Sequence, residues 1–496
     1  MSPYQTLHDR FARLGAVKEA LGILHWDAST NMPDGAAASR GEQLAALRVI
    51  VHEGLTDVAL PDLLAGAEGQ NDLDSWQRAN VAEMRRSVAH AAAVPADLVA
   101  ASSKACTECE MIWRKARPAN DFAGVLPALR KVLSLTREIA AAKSAVLGKS
   151  PYDVLLDQYE PGGSTETIDR LFGELAAVLP GMIDRALSLQ AGRPAPMPPP
   201  GPFPINAQRA LGLDLMKQLG FDLDHGRLDI SAHPFTGGAS GDVRITTRYD
   251  EADFRQALMG VLHETGHALY ELGLPSQWAR QPVGRARGMS LHESQSLLIE
   301  MQVCRGREFM AFAAPLIRDA FGGSGPAWSA ENLYRLGTRV ERSFIRVDAD
   351  ELTYPAHVML RYRLERALIA GDMTLADLPN EWNKGMRQLI GVAPPSDTLG
   401  CLQDIHWYDG AWGYFPTYTL GAMNAAQLFQ AAKAADAAIL PGIASGNFMP
   451  LLSWLRANVH AKASSRSTDE IMSEATGRPT ETAPYLNHLR GRYLEA

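Results

Sequence analysis

Residues 251–273 read EADFRQALMGVLHETGHALYELG. Phe254, Ala257, Leu258, Val261, Leu262, Leu269 and Leu272 recur at three-and-four spacing, the period of an amphipathic helix. Within it, His263-Glu264-Thr265-Gly266-His267 forms an HExxH pattern. Residues four apart stack on one helix face, so both imidazoles address one point in space. Two imidazoles so placed can hold one metal ion, and Glu264, one position beyond His263, can reach a water there and take its proton. The apolar flanks keep the pair near a core, where unpartnered imidazoles are costly. Gly266 in mid-helix costs about 1 kcal/mol relative to Ala, which predicts a close neighbour at that point.

A catalytic ion of this kind takes three protein ligands and leaves one position to water. The metzincin continuation asks for Gly and His at the third and sixth positions after His267, and Tyr270 and Gly273 stand there instead. The remaining source is a glutamate from a second helix. Ser290-Leu291-His292-Glu293 opens an apolar-periodic stretch and offers Glu293, with Glu300 and Glu271 as competitors. Ser290 with Glu293 also fits a helix capping box.

Outward from this centre the chain stays helical: 169–189 and 207–220 carry the same periodicity. Leu228, Ile230 and Ala232, then Val243, Ile245 and Thr247, alternate with polar residues around the Gly-rich stretch 236–241. That pattern predicts two short strands paired through a turn. The expected fold is therefore mainly α with one small β-sheet. Residues 192–204, GRPAPMPPPGPFP, hold seven of the 30 prolines. Proline stops a helix there, and the similar helical composition on both sides makes the run a surface loop within a single domain, 1–496, rather than a linker.

Of the 496 residues, 46% are hydrophobic and 21% charged, which excludes a largely disordered chain. The net charge of -8, from 48 basic and 56 acidic side chains, argues against nucleic-acid or anionic-membrane partners. No stretch approaches the roughly 20 apolar residues that span a bilayer, and the opening MSPYQTLHDR lacks the apolar run of a signal peptide. Four cysteines, Cys106, Cys109, Cys304 and Cys401, give no disulfide framework and fit a reducing, cytoplasmic setting. Cys106 and Cys109 form a CxxC without a second pair, too few ligands for a zinc ribbon.

Further polar groups cluster downstream. Arg346 lies in Ile345-Arg346-Val347-Asp348-Ala349-Asp350 and suits either a salt bridge to Asp348 or Asp350 or a guanidinium fork for a carboxylate. Arg244 has the same choice, with Asp242 as its nearby acid. The loop Gly400-Cys401-Leu402-Gln403-Asp404-Ile405-His406-Trp407 is polar and aromatic, as site-lining loops often are. Tyr414 and Tyr418 follow, and a phenol near a metal can steady an oxyanion.

Taken in order, these segments resemble the thermostable carboxypeptidase Taq family of metallocarboxypeptidases, over nearly the full length. The HPF motif matches His233-Pro234-Phe235, DxRxT matches Asp242-Val243-Arg244-Ile245-Thr246, and HExxH matches His263 to His267. HES matches His292-Glu293-Ser294, IRxxAD matches 345–350, and GxxQDxHW matches Gly400 to Trp407. The stretches at 24–33 and 447–496 are similar too. The resemblance implies a helical metallopeptidase fold with a deep active-site groove, a small sheet beside the metal-binding helix, and a homodimer. It implies His263, His267 and Glu293 as metal ligands and Glu264 as general base. It points to Arg244 and Arg346 for the substrate's terminal carboxylate, and to His406 and Tyr418, with Tyr414 in reserve, near the scissile carbonyl.

The sequence therefore reads as a carboxypeptidase releasing single C-terminal amino acids from peptides with a free C-terminus. It would use one Zn2+ per chain, with Co2+ able to substitute. Pairing of the extended substrate with the strand that carries Arg244 is a further expectation. The rivals are an endo-oligopeptidase or dipeptidyl carboxypeptidase with the same metal chemistry, and a metal-stabilised binding protein without turnover. Glu264 argues against the last, because a structural site needs no base.

Overall fold

The computed structural model describes residues 1–495. Four helices, Pro3–Thr30, Ala37–Leu55, Leu60–Glu68 and Ser75–Ala92, gather around an apolar cluster of their own that includes Leu7, Leu14, Leu60, Leu64 and Met84. The larger core runs from Ala105 to Leu489 and takes in helices from both sides of the proline-rich run. That run is pinned rather than free. The Met197 backbone exchanges two hydrogen bonds with the Asn332 amide at 2.8 Å, and Phe203 is buried against Phe254 and Trp328.

The motif-bearing helix spans Phe254–Gly273. The Asp253 side chain caps it by accepting from the Arg255 N–H, and Phe254, Ala257, Leu258, Val261, Leu262 and Leu269 are buried. Each large apolar side chain so buried contributes about 1.5–3 kcal/mol, so the apolar stripe holds the helix against the core. A second helix, Met289–Leu297, crosses it and runs on without a break into a π-helical stretch, Leu298–Cys304. A third, Pro416–Ala435, lies over the second.

Two glycines set these crossings. A Cβ on Gly266 would stand 2.6 Å from the Ser296 Cα, and one on Gly421 would stand 2.7 Å from the Glu293 Cβ. The close neighbour expected at Gly266 is thus the backbone of the second helix.

The fold is mainly α with one small sheet, and the sheet departs from the expected hairpin. It has three strands in the order β1-β3-β2: β1 is Gly226–Ile230, β2 Phe235–Ala239 and β3 Asp242–Thr247. The two alternating segments, β1 and β3, pair in parallel, and the supposed Gly-rich turn is largely β2, antiparallel to β3. The chain reverses at His233-Pro234, where the Ser231 hydroxyl donates to the His233 carbonyl at 2.6 Å. Beyond the reversal, the Phe235 N–H donates to Thr246 Oγ1 at 3.0 Å and starts the return along the far side of β3. Gly238 makes the next turn possible, at φ 114° with the Asp242 carbonyl where a Cβ would go. Alternation identified the strands but could not count an intervening one whose middle residues, Gly237 and Gly238, have no side chains to alternate. Both edges of β3 are therefore occupied, so substrate cannot add to the strand that carries Arg244.

Candidate metal centre

One helical turn apart, His263 and His267 turn their Nε2 atoms toward Glu293, on the crossing helix. His263 Nε2 lies 3.9 Å from Glu293 Oε1, and His267 Nε2 lies 3.4 Å from Oε2. Among the described residues these three form the group of His, Cys or acidic side chains that can hold an ion, with ligand atoms all within 4.8 Å of one another. A tetrahedral ion bound at about 2.0–2.1 Å sets its ligand atoms about 3.3 Å apart, so small rotations suffice to close the site.

The other nitrogen of each imidazole is tethered. His263 Nδ1 lies 2.9 Å from Glu300 Oε2, and Glu300 in turn accepts from Arg305 at 2.6 Å. His267 Nδ1 lies 2.6 Å from His292 Nδ1, whose Nε2 lies 2.8 Å from Glu271. Such outer contacts fix the tautomer and the ring plane of a ligating histidine. Glu300 and Glu271, which compete with Glu293 on sequence grounds, are accounted for by these outer contacts.

The electrostatics fit a cation. Burial alone would lower His263, but Glu300, Glu293 and Glu264 outweigh it and push the imidazole up to about 10. Burial lowers His267, with His292 adding to the effect. Burial would raise Glu293 and Glu300, yet Glu293 is held below its ordinary value by its histidine neighbours, and Glu300 is pulled down to about 2 by Arg305 and His263. The donor set, two imidazoles and an ionised carboxylate, suits a divalent ion.

Glu264 is buried beside this group and held from the sheet. Thr236 on β2 places its hydroxyl 2.7 Å from Glu264 Oε2 and 3.0 Å from the Glu264 carbonyl. Sequence reading passed over Thr236 because it lay in a presumed turn. Across the site, His406 Nε2 and the Tyr418 hydroxyl are 3.1 Å apart. Burial and the neighbouring Arg346 pull His406 down to about 3, so it is a neutral imidazole, and burial pushes Tyr418 up to about 12, so it keeps its proton. Tyr414 packs edge-on to Tyr418 with ring centres 5.1 Å apart. Tyr354, which sequence reading did not single out, also meets Tyr418 edge-on, with ring centres 6.3 Å apart.

The two arginines differ in their pairing. Arg244 makes a two-point contact with Asp242, at 2.9 and 2.6 Å, and stacks on Trp26 at 4.1 Å. Arg346 pairs with neither Asp348 nor Asp350 but with Asp404, from the polar loop, at 3.0 Å. Asp350 instead accepts from the Leu352 N–H and the Thr353 hydroxyl in the turn before the next helix, and Asp348 accepts from Gln256. The reason is local geometry: Arg346–Asp348 is a single 3-10 turn, not an α-helix whose later residues stack under the arginine. Asp404 also binds Arg361, at 2.5 Å, so one carboxylate serves two guanidiniums. Burial disfavours the charge on Arg346, but Asp404 outweighs it and raises the group above its ordinary value.

The capping box does not form. The helix begins at Met289, with Gly288 as its cap, and the Ser290 N–H donates to Glu160 at 2.9 Å instead. Glu293 is thereby left free of the helix end and turned to the histidines.

Comparison with known proteins agrees with this arrangement. The family model described as "Carboxypeptidase Taq (M32) metallopeptidase" matches residues 6–493. Thermostable carboxypeptidase 1 of Thermus thermophilus is 40% identical over 502 residues, covering 99% of this chain and 98% of that protein. The solved structure of Trypanosoma cruzi metallocarboxypeptidase 1 superposes with a TM-score of 0.97 at 39% identity, covering 99% of both chains. The M32 carboxypeptidase of Deinococcus radiodurans gives 0.93 at 36% identity, again over 99% of both.

Proposed function

This chain belongs to the carboxypeptidase Taq (M32) family of metallopeptidases and is a metal-dependent carboxypeptidase; from that premise we propose how its side chains divide the work. His263, His267 and Glu293 hold the divalent ion, and the observation that carries this is the convergence of both Nε2 atoms on Glu293 while both Nδ1 atoms are tethered elsewhere. Bound there, the ion supplies Lewis-acid polarisation of a carbonyl and lowers the pKa of water. Glu264, oriented by Thr236, takes the proton of the attacking water and passes it to the leaving amine. Tyr418 donates its hydroxyl proton in a hydrogen bond toward the negative charge that develops on the scissile oxygen. His406, neutral and hydrogen-bonded to Tyr418, holds that phenol in place, with Tyr414 as its packing partner.

Arg346 is the main anchor for the substrate's terminal carboxylate. Asp404 cannot neutralise both Arg346 and Arg361, so one positive charge is left to meet a substrate anion. Arg244, matched one-to-one by Asp242, is the secondary contact.

We assign zinc as the resident ion, with cobalt able to replace it, because the donors are two imidazoles and a carboxylate. A single domain over 1–496 is supported by the core that continues across the proline-rich loop. A homodimer is supported by the family likeness, and a cytoplasmic setting by the four unpaired cysteines. No helix among the described residues is long and apolar enough to cross a membrane.

The test is mass spectrometry of an unblocked peptide. Stepwise loss of single C-terminal residues, abolished by a chelator and restored by Zn2+ or Co2+, is expected. Internal cuts or paired losses would give the reaction to an endo-oligopeptidase or a dipeptidyl carboxypeptidase.

A further inference from the structure

A cavity of about 290 Å³ lies between the N-terminal helix, Pro3–Thr30, and the segment that leads into the Glu293 helix. Its lining includes His292, the residue that touches His267 on its far side, and Tyr159, whose ring meets Tyr414 edge-on at 5.0 Å. It therefore shares walls with the metal centre. Neither Arg346 nor Arg244 reaches it.

The charge of this cavity is unbalanced. Lys18, Arg86, Arg280 and Arg285 line it, against Glu83 alone. Glu83 is committed to Arg86 at 2.9 Å and Arg287 at 2.6 Å, and Arg280 is matched by Glu19 at 2.8 Å. Lys18 and Arg285 are left with no carboxylate at ion-pair distance among the described residues, although Glu19 and Glu271 act on Arg285 from further off. Burial and the Arg285 charge lower Lys18 to about 8. Two cations that repel across one cavity are a place where an anion gains from both.

The N-terminal helix connects the cavity to the neighbourhood of the base. Lys18 is seven residues before His25 on one helix, about 10 Å along its axis. His25 packs on Phe235, ring centres 5.9 Å apart, beside the Thr236 that holds Glu264. An enzyme that removes one C-terminal residue has a single residue beyond the scissile bond, so an acidic side chain of the substrate that reaches this cavity lies upstream of that bond.

We propose that Lys18 and Arg285 form an anion subsite that binds a carboxylate, supplied by an Asp or Glu side chain of the substrate upstream of the scissile bond. The proposal rests on the carboxypeptidase activity and extends it to a substrate preference.

The test uses peptide pairs that differ only by Glu or Gln at one position, moved from the second to the fifth place from the C-terminus, with release of the last residue followed. Wild-type enzyme should prefer Glu by about tenfold in kcat/KM at one of these places, the scale of one charge-assisted contact. Lys18→Met and Arg285→Met should each shrink that ratio, and the double variant should bring it to one. Acetate at fixed ionic strength should slow the Glu peptide in wild type and lose this effect in Lys18→Met. If Glu and Gln are equal everywhere but acetate changes the rate through Lys18, the subsite stands and its carboxylate comes from solution. If Glu and Gln are equal and acetate does nothing, the subsite is overturned. If neither peptide loses a residue, the carboxypeptidase reading fails and the subsite with it.

Discussion

His292 Nδ1 stands 2.6 Å from His267 Nδ1, and its other nitrogen stands 2.8 Å from Glu271. The geometry defines a chain of hydrogen bonds: with its Nε2 turned to the ion, His267 donates from Nδ1 to His292, and His292 donates from Nε2 to Glu271. In the proposed site His292 would orient a ligand, His267, without being one. Outer partners of this kind typically carry about 10–100-fold in metal affinity, so His292→Ala should weaken zinc by that factor in competition with a chromogenic chelator. An unchanged affinity would reduce His292 to packing.

Glu264→Gln should keep its metal and lose about 10²–10⁴-fold in turnover. Thr236→Val should act in the same direction but less, about tenfold in kcat, because it removes one hydrogen bond to the base and leaves the base itself. Metal content and single-turnover rates, measured together, separate loss of the base from loss of the ion.

Arg346→Ala should lower kcat/KM by about 10- to 150-fold for a peptide with a free C-terminus, the effect of losing a charged hydrogen-bond partner. The same peptide with an amidated C-terminus should be a poor substrate for wild type and should hardly notice the substitution. Equal cleavage of free and amidated peptides by wild type would remove the anchor altogether.

Gly421→Ala places a methyl group 2.7 Å from the Glu293 Cβ. Overpacking of this kind costs about 1–3 kcal/mol, and here it must also displace Glu293 from the histidines. A lower Tm and weaker metal binding should appear together. Gly266→Ala, which meets the Ser296 Cα from the opposite helix, should do the same.

Glu365 is fully buried, accepts from Tyr152 at 2.6 Å and Trp407 at 2.8 Å, and is pushed up to about 7 by burial. Its folded value lies above its unfolded one, so between roughly pH 4.5 and 7 the folded chain holds a proton that the unfolded chain has released. Stability from this group is therefore complete at acid pH and falls as pH rises through that window, by about 3 kcal/mol at most. Glu365→Gln stays neutral throughout. Denaturant unfolding of the metal-loaded proteins should show the variant gaining on wild type from pH 5 to pH 8, and a constant difference would contradict the argument.

The amino-acid sequence settled what depends on neighbours along the chain. Helical periodicity placed His263 and His267 on one face, because four residues make about one turn wherever the helix sits. Alternation located β1 and β3 for the same reason. Spacing alone could not decide which of Glu293, Glu300 and Glu271 faces the two Nε2 atoms, since all three lie within reach of the same helix pair, and only the family resemblance pointed to Glu293. Tertiary packing decided it: Gly266 and Gly421 let three helices close on Glu293, while the π-helical stretch sets Glu300 against the opposite nitrogen of His263. The pairing of Arg346 with Asp404, 58 residues away, and the insertion of β2 beside β3 were likewise out of reach. Contacts between distant segments follow from how closely helices approach and which turns a glycine permits, and those are properties of the packed chain rather than of any local pattern.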